Sequence, residues 1–315
     1  LLSVLDGTDV PVVPAYLDEV WGSIFSFEGG RFFWKWPRKW PYPISIHFGA
    51  PVPAPEDTHT IRHAVQNLGA RAVQKRSKTM ETPATTFIRS CKKQSGRPKV
   101  ADSSDMELKG GELLLRSLIL RRLLRRALES DETNVGLLLP PSVHAVVANA
   151  ALSIDRRVAV NLNYTVSEDV MQQCIDQAGI RHVVTSRTVM NKLNFNLDVE
   201  LIMLEDLRKE LTTADKIVAA LGAYVVPAGL LVRSLGLHKS RGDDLLTLIF
   251  TSGSTGEPKG VMLTNSNVAS NVNAVTQVIQ ILPTDVLVGV LPFFHSFGFT
   301  ITMWTALTID VKGVY

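Results

Sequence analysis

Apolar positions change period repeatedly along the chain. Beyond residue 110, short apolar runs alternate with longer stretches in which apolar side chains return every three or four residues. The short runs, at 135–139, 158–162, 182–185, 201–204, 246–250 and 286–291, predict strands; the stretches at 111–128, 142–152 and 168–178 predict helices. The rhythm begins coarsely at 87–98, and no internal repeat interrupts it. Short apolar strands separated by helices argue for an α/β fold, a layered and mostly parallel sheet with helices on both faces.

One junction in this pattern carries chemistry. Residues 245–261, LLTLIFTSGSTGEPKGV, run an apolar strand into a loop rich in glycine and hydroxyl side chains, with one lysine. Gly253, Gly256 and Gly260 permit tight turning and close approach of the backbone to an anion. Thr251, Ser252, Ser254 and Thr255 offer hydroxyl donors, and Lys259 a mobile positive charge. The combination suits a polyphosphate. It is not a Walker A loop, because Pro258, Lys259 and Gly260 stand where that loop needs Gly, Lys and then Ser or Thr. A Walker loop also opens into a helix facing the phosphates. Here 260–263 reads as extended, and a helix becomes plausible only after the cap-like Thr264, Asn265 and Ser266.

TSGSTGEPKG closely resembles the phosphate-binding signature of adenylate-forming enzymes, the superfamily of acyl-CoA synthetases, luciferases and nonribosomal adenylation domains. Downstream, LPFFHSFG at 291–298 is similar to the family segment that places an aromatic-flanked histidine beside the acyl substrate. The resemblance implies that Thr251, Ser252, Gly253, Ser254, Thr255, Gly256, Lys259 and Gly260 hold the phosphates of ATP, with Mg²⁺. It also implies that Phe294 and Phe297 line the acyl entrance and that His295 positions the carboxylate. The plainer alternative is a Gly/Ser surface loop followed by a structural histidine.

Composition narrows the class without naming a substrate. At 315 residues, 45% hydrophobic and 20% charged, the chain has the makeup of a globular protein of about two domains. A net charge of +3 is too small to argue for nucleic acid, and no zinc-finger spacing appears. Cys91 and Cys174 stand far apart outside any CxxC pattern, which predicts reduced thiols in a cytosolic compartment. The chain begins at Leu1 and ends within a strand-like run, and it reads as a fragment, expected to be inactive alone.

The first eighty residues form a different unit. Trp21, Trp34, Trp36 and Trp40 interleave with Phe25, Phe27, Phe32, Phe33 and the cations Arg31, Lys35, Arg38 and Lys39. Rings beside cations suit either a membrane interface or a packed core with a snorkelling rim. Strands are expected at 10–14 and 44–48. The run 10–52 resembles the C-terminal part of lysophosphatidate-type glycerophospholipid acyltransferases, whose catalytic His-x4-Asp pair would precede it. Glu28 and Gly29 follow the expected strand instead of preceding it and take no role. His238 and Asp243 have the pair's spacing but lie in a polar linker.

An acyltransferase remnant at 1–76, a linker at 77–86 and the N-terminal portion of an adenylation domain at 87–315 resemble the bacterial bifunctional 2-acylglycerophosphoethanolamine acyltransferase and acyl-[acyl-carrier-protein] synthetase family. GLLLPPS, NLNYTVS and LEDLRKELTTADK also fit its second half. This implies fatty acid, acyl carrier protein or CoA, and a lysophospholipid as partners, on the cytoplasmic face of the bacterial inner membrane. A plain long-chain fatty acid–CoA ligase and a non-catalytic membrane-docking scaffold are the rivals.

Two segments stay open. Arg121, Arg122, Arg125 and Arg126 crowd one side of the helix expected at 111–128, as a solvated face or as a docking patch for an acidic carrier protein or anionic lipid. Residues 217–232, IVAALGAYVVPAGLLV, carry no charge, fall short of the roughly 20 residues a span needs and contain Pro227. An interfacial or re-entrant contact, a buried core helix and a true span are the three readings.

Overall fold

The computed structural model describes residues 8–20, 22–26, 33, 36, 40–53, 57–77, 79–252, 257–279 and 281–315, with the side chain of Ser252 excluded. The chain divides into two compact units, Leu1–Thr79 and Met80–Tyr315.

In the first unit, β1 (Ala15–Asp18) and β2 (Ser45–Phe48) pair antiparallel, with Ala15 opposite Phe48 and Asp18 opposite Ser45. The strand expected at 10–14 is displaced. Pro11 and Pro14 cannot donate to a ladder, so pairing becomes continuous only after Pro14, with a single bridge from Val12 to Val52 before it. The helix Thr58–Ser77 follows. Its Gly69 leaves room for the ring of Tyr16, and its Arg76 donates to Asp18 at 2.8 Å. Trp36 and Trp40 are 93% and 85% exposed, so neither belongs to a packed core. Trp21, Phe27, Glu28, Gly29, Arg31, Phe32, Trp34, Lys35, Arg38 and Lys39 lie outside the described residues.

The second unit holds two sheets. The larger joins β5 (Asn134–Leu137), β6 (Val158–Asn161), β7 (His182–Thr185), β8 (Glu200–Met203), β9 (Leu245–Ser252) and β10 (Pro258–Thr264) in the order β10-β9-β6-β5-β7-β8. All are parallel except the edge strand β10. Successive strand residues point to opposite faces, and the core divides accordingly. Val135, Leu137, Ala159 and Val184 pack with the helices Gly110–Ala127 and Val143–Ile154, while Val158, Val160 and Val183 pack with Met171, Cys174 and Ile175 of the helix Glu168–Ala178. The expected parallel sheet with helices on both faces is therefore present. The smaller sheet, in the order β11-β12-β3-β4, joins β3 (Pro98–Ala101) and β4 (Glu107–Lys109), which periodicity did not reveal, to β11 (Val286–Val288), within the strand expected at 286–291, and β12 (Lys312–Val314) in the strand-like run at the chain end.

The arginine-rich helix face is neither freely solvated nor a free docking patch. Arg122 and Arg126 both reach Asp215, Arg126 with two bonds of 2.9 and 3.0 Å. Those bonds, with Thr212, hold the Asp215 carboxyl well below the usual carboxylate range. The same carboxylate caps the helix Thr213–Ala220. Arg121 lies 3.0 Å from Asp155, which Arg157 also grips; Arg125, farther from Asp155 at 3.5 Å, is the more exposed.

Lys99 is fully buried and donates to Ser90 Oγ at 3.0 Å and to the Ile309 carbonyl, tying β3 to the turn before β12. Burial lowers its ammonium to about 8, against the opposing influence of Cys91 and Asp310. Burial also pushes the neighbouring Cys91 thiol up to about 12. Between pH 8 and 10.5 the unfolded chain binds the Lys99 proton more tightly than the native state, so this group makes stability rise with pH there. Cys91 opposes it above pH 9, where the unfolded thiol ionises and the buried one does not. We therefore expect urea unfolding to show a gain of about 1 kcal/mol from pH 8 to 9 relative to Lys99→Met. Identical pH dependence in the two proteins would contradict this.

Candidate functional site

The site is assembled at the carboxyl edge of the larger sheet. β9 is anchored to β6 by Ala159 opposite Thr247 and by the Thr247 hydroxyl, which donates to the Ala159 carbonyl at 2.6 Å. Because β9 runs parallel to β6, its end at Ser252 opens on the same edge as Leu137, Asn161 and Thr185. In open α/β sheets that edge is where ligands bind.

The chain then turns back into β10, pairing Lys259 with Thr251 and Pro258 with Ser252. Directly opposite residues of an antiparallel pair project to the same face. Thr251 and Lys259, both exposed, therefore stand together at the mouth of the hairpin, and the Thr251 hydroxyl reaches the Lys259 carbonyl at 3.5 Å. Gly260 lies in the ladder opposite Phe250, whose ring approaches to 3.3 Å of where a Cβ would be. Gly253, Ser254, Thr255 and Gly256 lie outside the described residues, as does the Ser252 side chain. After the lysine comes a strand, and the helix Asn265–Val278 starts only at the Thr264 cap, where Thr264 Oγ accepts from the Asn267 amide. This is the order that set the loop apart from a Walker motif.

The histidine segment is a tight turn running into a π-helical stretch, Gly298–Trp304. The His295 amide donates to the Pro292 carbonyl at 3.1 Å, and the Phe299 amide to the His295 carbonyl at 2.9 Å. The Phe297 amide donates to His295 Nδ1 at 3.3 Å, which in the neutral ring places the proton on Nε2. His295 and Phe297 are exposed, whereas Phe293 is buried and Phe294 half-buried.

Sequence reasoning missed the residue that links this segment to the sheet. Tyr164, just past β6, meets Phe294 edge to face, with ring centroids 5.0 Å apart and planes at 82°. The neighbouring Asn161 exchanges paired amide bonds with Asn149, at 3.0 and 2.9 Å, which fixes the end of β6 beneath it. Tyr164 lay inside a family-like stretch, but 130 positions separate it from Phe294, and no periodicity connects them. His238 and Asp243, the pair with acyltransferase spacing, are both exposed, His238 within the short turn Leu237–Lys239.

Residues 87–315 match the AMP-binding enzyme family. The chain belongs to that family. It is similar to fatty acyl-CoA synthetase A of Dictyostelium discoideum, 52% identical over 56 residues that make up 18% of this chain and 8% of that protein. It is also similar to long-chain-fatty-acid–CoA ligase 5 of Rattus norvegicus, 44% identical over 59 residues, 18% of this chain and 9% of the relative. The match thus spans less than a tenth of either relative's length. A fatty acyl-adenylate ligase from L. pneumophila, solved with acyl adenylate and pyrophosphate, superposes with a TM-score of 0.59 at 16% identity, covering 76% of this chain and 40% of that one. The α/β fold of the second unit therefore matches the N-terminal domain of adenylate-forming enzymes.

Proposed function

We propose that the natural protein carrying this chain activates a fatty acid with ATP, forming acyl-adenylate and pyrophosphate, and then passes the acyl group to a phosphopantetheine thiol. The observation that carries this reading is the pairing of Thr251 with Lys259 at the sheet's carboxyl edge, the edge from which Tyr164 also braces the histidine segment through Phe294. A lysine there offsets charge on the β and γ phosphates, an electrostatic and positioning contribution. Gly253, Ser254, Thr255 and Gly256 complete the phosphate cradle in this reading. Among the described residues, no three His, Cys, Asp or Glu side chains gather to hold a metal ion. A hydroxyl and lysine set nonetheless fits Mg²⁺ delivered on the nucleotide, because that ion keeps its waters and binds largely through substrate phosphates. Phe294 and Phe297 line the acyl entrance, and His295 holds the carboxylate toward the α-phosphate.

Acyl carrier protein is the acceptor we favour, with onward transfer to a lysophospholipid by an acyltransferase of which residues 1–76 are the remnant. The resemblance in domain order over 1–76, 77–86 and 87–315 supports this reading, under which the protein would act at the cytoplasmic face of a bacterial inner membrane. The similarity to fatty acyl-CoA synthetases favours CoA as the second possibility. The test is ATP–pyrophosphate exchange by the natural protein with and without fatty acid, followed by thioester formation with holo-carrier protein or CoA. Exchange that ignores the fatty acid would refute the activation step; thioester on CoA alone would select the second acceptor.

Tyr164 follows as a positioning residue in this scheme. Removing an edge-to-face partner is worth about 0.5–1.5 kcal/mol. Tyr164→Ala is therefore expected to raise KM for the fatty acid about 2- to 13-fold while KM for ATP stays unchanged, and Tyr164→Phe should behave as wild type. Equal shifts in both KM values would reduce Tyr164 to a purely structural role.

A further inference from the structure

The uncharged stretch 217–232 is apolar on two opposite sides. It runs from the second half of the helix Thr213–Ala220 through a π-turn, Leu221–Val225, into the helix Ala228–Ser234 that begins after Pro227. One side is in the core, where Ala219, Ala223, Leu231 and Val232 are buried and the Gly222 backbone lies against Leu118. The other side faces outward. Ile217, Val218, Leu221, Tyr224, Val225 and Leu230 are each between 48% and 69% exposed. At about 100° per residue, Ile217, Leu221 and Val218 fall within one 100° arc opposite buried Ala219 and Ala223. Among the described residues, no helix is long and apolar enough to cross a membrane, so this face is a surface feature and not part of a span.

Charge selects the occupant. Lys216 and Arg233 bracket the face and are exposed, and Lys239 follows in the next turn. From residue 212 to 240 the acidic member is Asp215, which is buried and already paired with Arg122 and Arg126; exposed Glu112, on the helix Gly110–Ala127, is the negative charge beside Tyr224, and Lys216, Arg233 and Lys239 outnumber it. An apolar strip with a positive rim is complementary to the headgroup and acyl boundary of an anionic bilayer. We propose that this outward face, from Ile217 to Leu230, lies in the interfacial layer of an anionic lipid membrane, with Lys216 and Arg233 at headgroup level. The proposal is independent of the activation chemistry, because it is read without nucleotide or fatty acid.

The test is co-flotation of the chain with vesicles of three parts phosphatidylethanolamine to one part phosphatidylglycerol, and with phosphatidylcholine vesicles. Wild type should float with the anionic vesicles. The Leu221→Ser, Val225→Ser, Leu230→Ser triple variant should bind at least about tenfold more weakly with unchanged thermal unfolding, since all three side chains are exposed. Lys216→Glu with Arg233→Glu should abolish the preference for anionic lipid. Because Cys91 and Cys174 are buried, a bimane label on Val225→Cys reports this face specifically, and its emission should shift to the blue on vesicles. Equal flotation of wild type and the serine variant, or an unshifted label, overturns the proposal. So does a wild-type dimer in the absence of lipid that the serine variant dissolves, because a second copy would then be the occupant.

Discussion

Replacing Lys259 by alanine should slow fatty-acid-dependent ATP–pyrophosphate exchange by the natural protein on the order of 10²- to 10³-fold, the usual loss on removing one preorganised charge-stabilising donor. The side chain projects from an edge strand beside Thr251, is exposed, and has no part in the core. Its removal should therefore leave the urea midpoint within about 0.5 kcal/mol of wild type, as for other surface substitutions. That separation makes the experiment decisive, since activity falls while the fold does not. Lys259→Arg keeps the charge but changes reach and donor geometry, so partial recovery is expected. Exchange at the wild-type rate in the alanine variant would remove the phosphate role and leave the hairpin a structural edge.

How far the sequence foretold this arrangement depends on whether each element is specified locally. The helix Glu168–Ala178 and strand β7 were legible to the residue, because Gly179, at φ 60°, ends the helix in the left-handed region and Ile180 begins the next apolar run. The extended β10 and its Thr264 cap were legible for the same kind of reason. Strands β3 and β4 were not. They are only four and three residues long, and β3 takes its second partner from β12, more than two hundred positions away. The strand expected at 286–291 stops at Val288, where the Tyr315 ring packs on Gly289. Residues 217–232 defeated a single reading because their apolar surface serves two environments, a core side and an outward side, which composition cannot separate.

The site divides along the same line. Thr251 and Lys259 could be read in sequence because eight residues of hairpin bring them together. Tyr164 and Phe294 meet only through the parallel pairing of β6 with β9 and the packing of the later turn. Sequence alone left the arginines of the helix Gly110–Ala127 as a solvated face or a docking patch and did not reveal their ion pairs, because their carboxylate partners, Asp155 and Asp215, lie on other elements.

Gly298→Ala is expected to be the most disruptive single substitution in the histidine segment. A Cβ built at Gly298 would lie 2.1 Å from the Pro292 carbonyl oxygen and 2.7 Å from that of Leu291, and both obstacles are backbone. The Pro292 carbonyl is also the acceptor that fixes the His295 amide, so relieving the clash must move the turn that presents the imidazole. The carbonyl of Gly298 itself accepts from the Thr302 hydroxyl at 2.6 Å, which ties the shift into the buried π-helical stretch around Phe299, Met303 and Trp304. Overpacking of this kind costs about 3 kcal/mol. Urea unfolding should show that loss, and the same variant should raise KM for the fatty acid more than KM for ATP, because the phosphate hairpin lies on a different strand pair. Gly96→Ala, where nothing lies within 4 Å of the added methyl group, serves as the matched control and should be neutral or slightly stabilising. If Gly298→Ala unfolds at the wild-type midpoint with unchanged KM for the fatty acid, the turn does not hold His295 in the manner described.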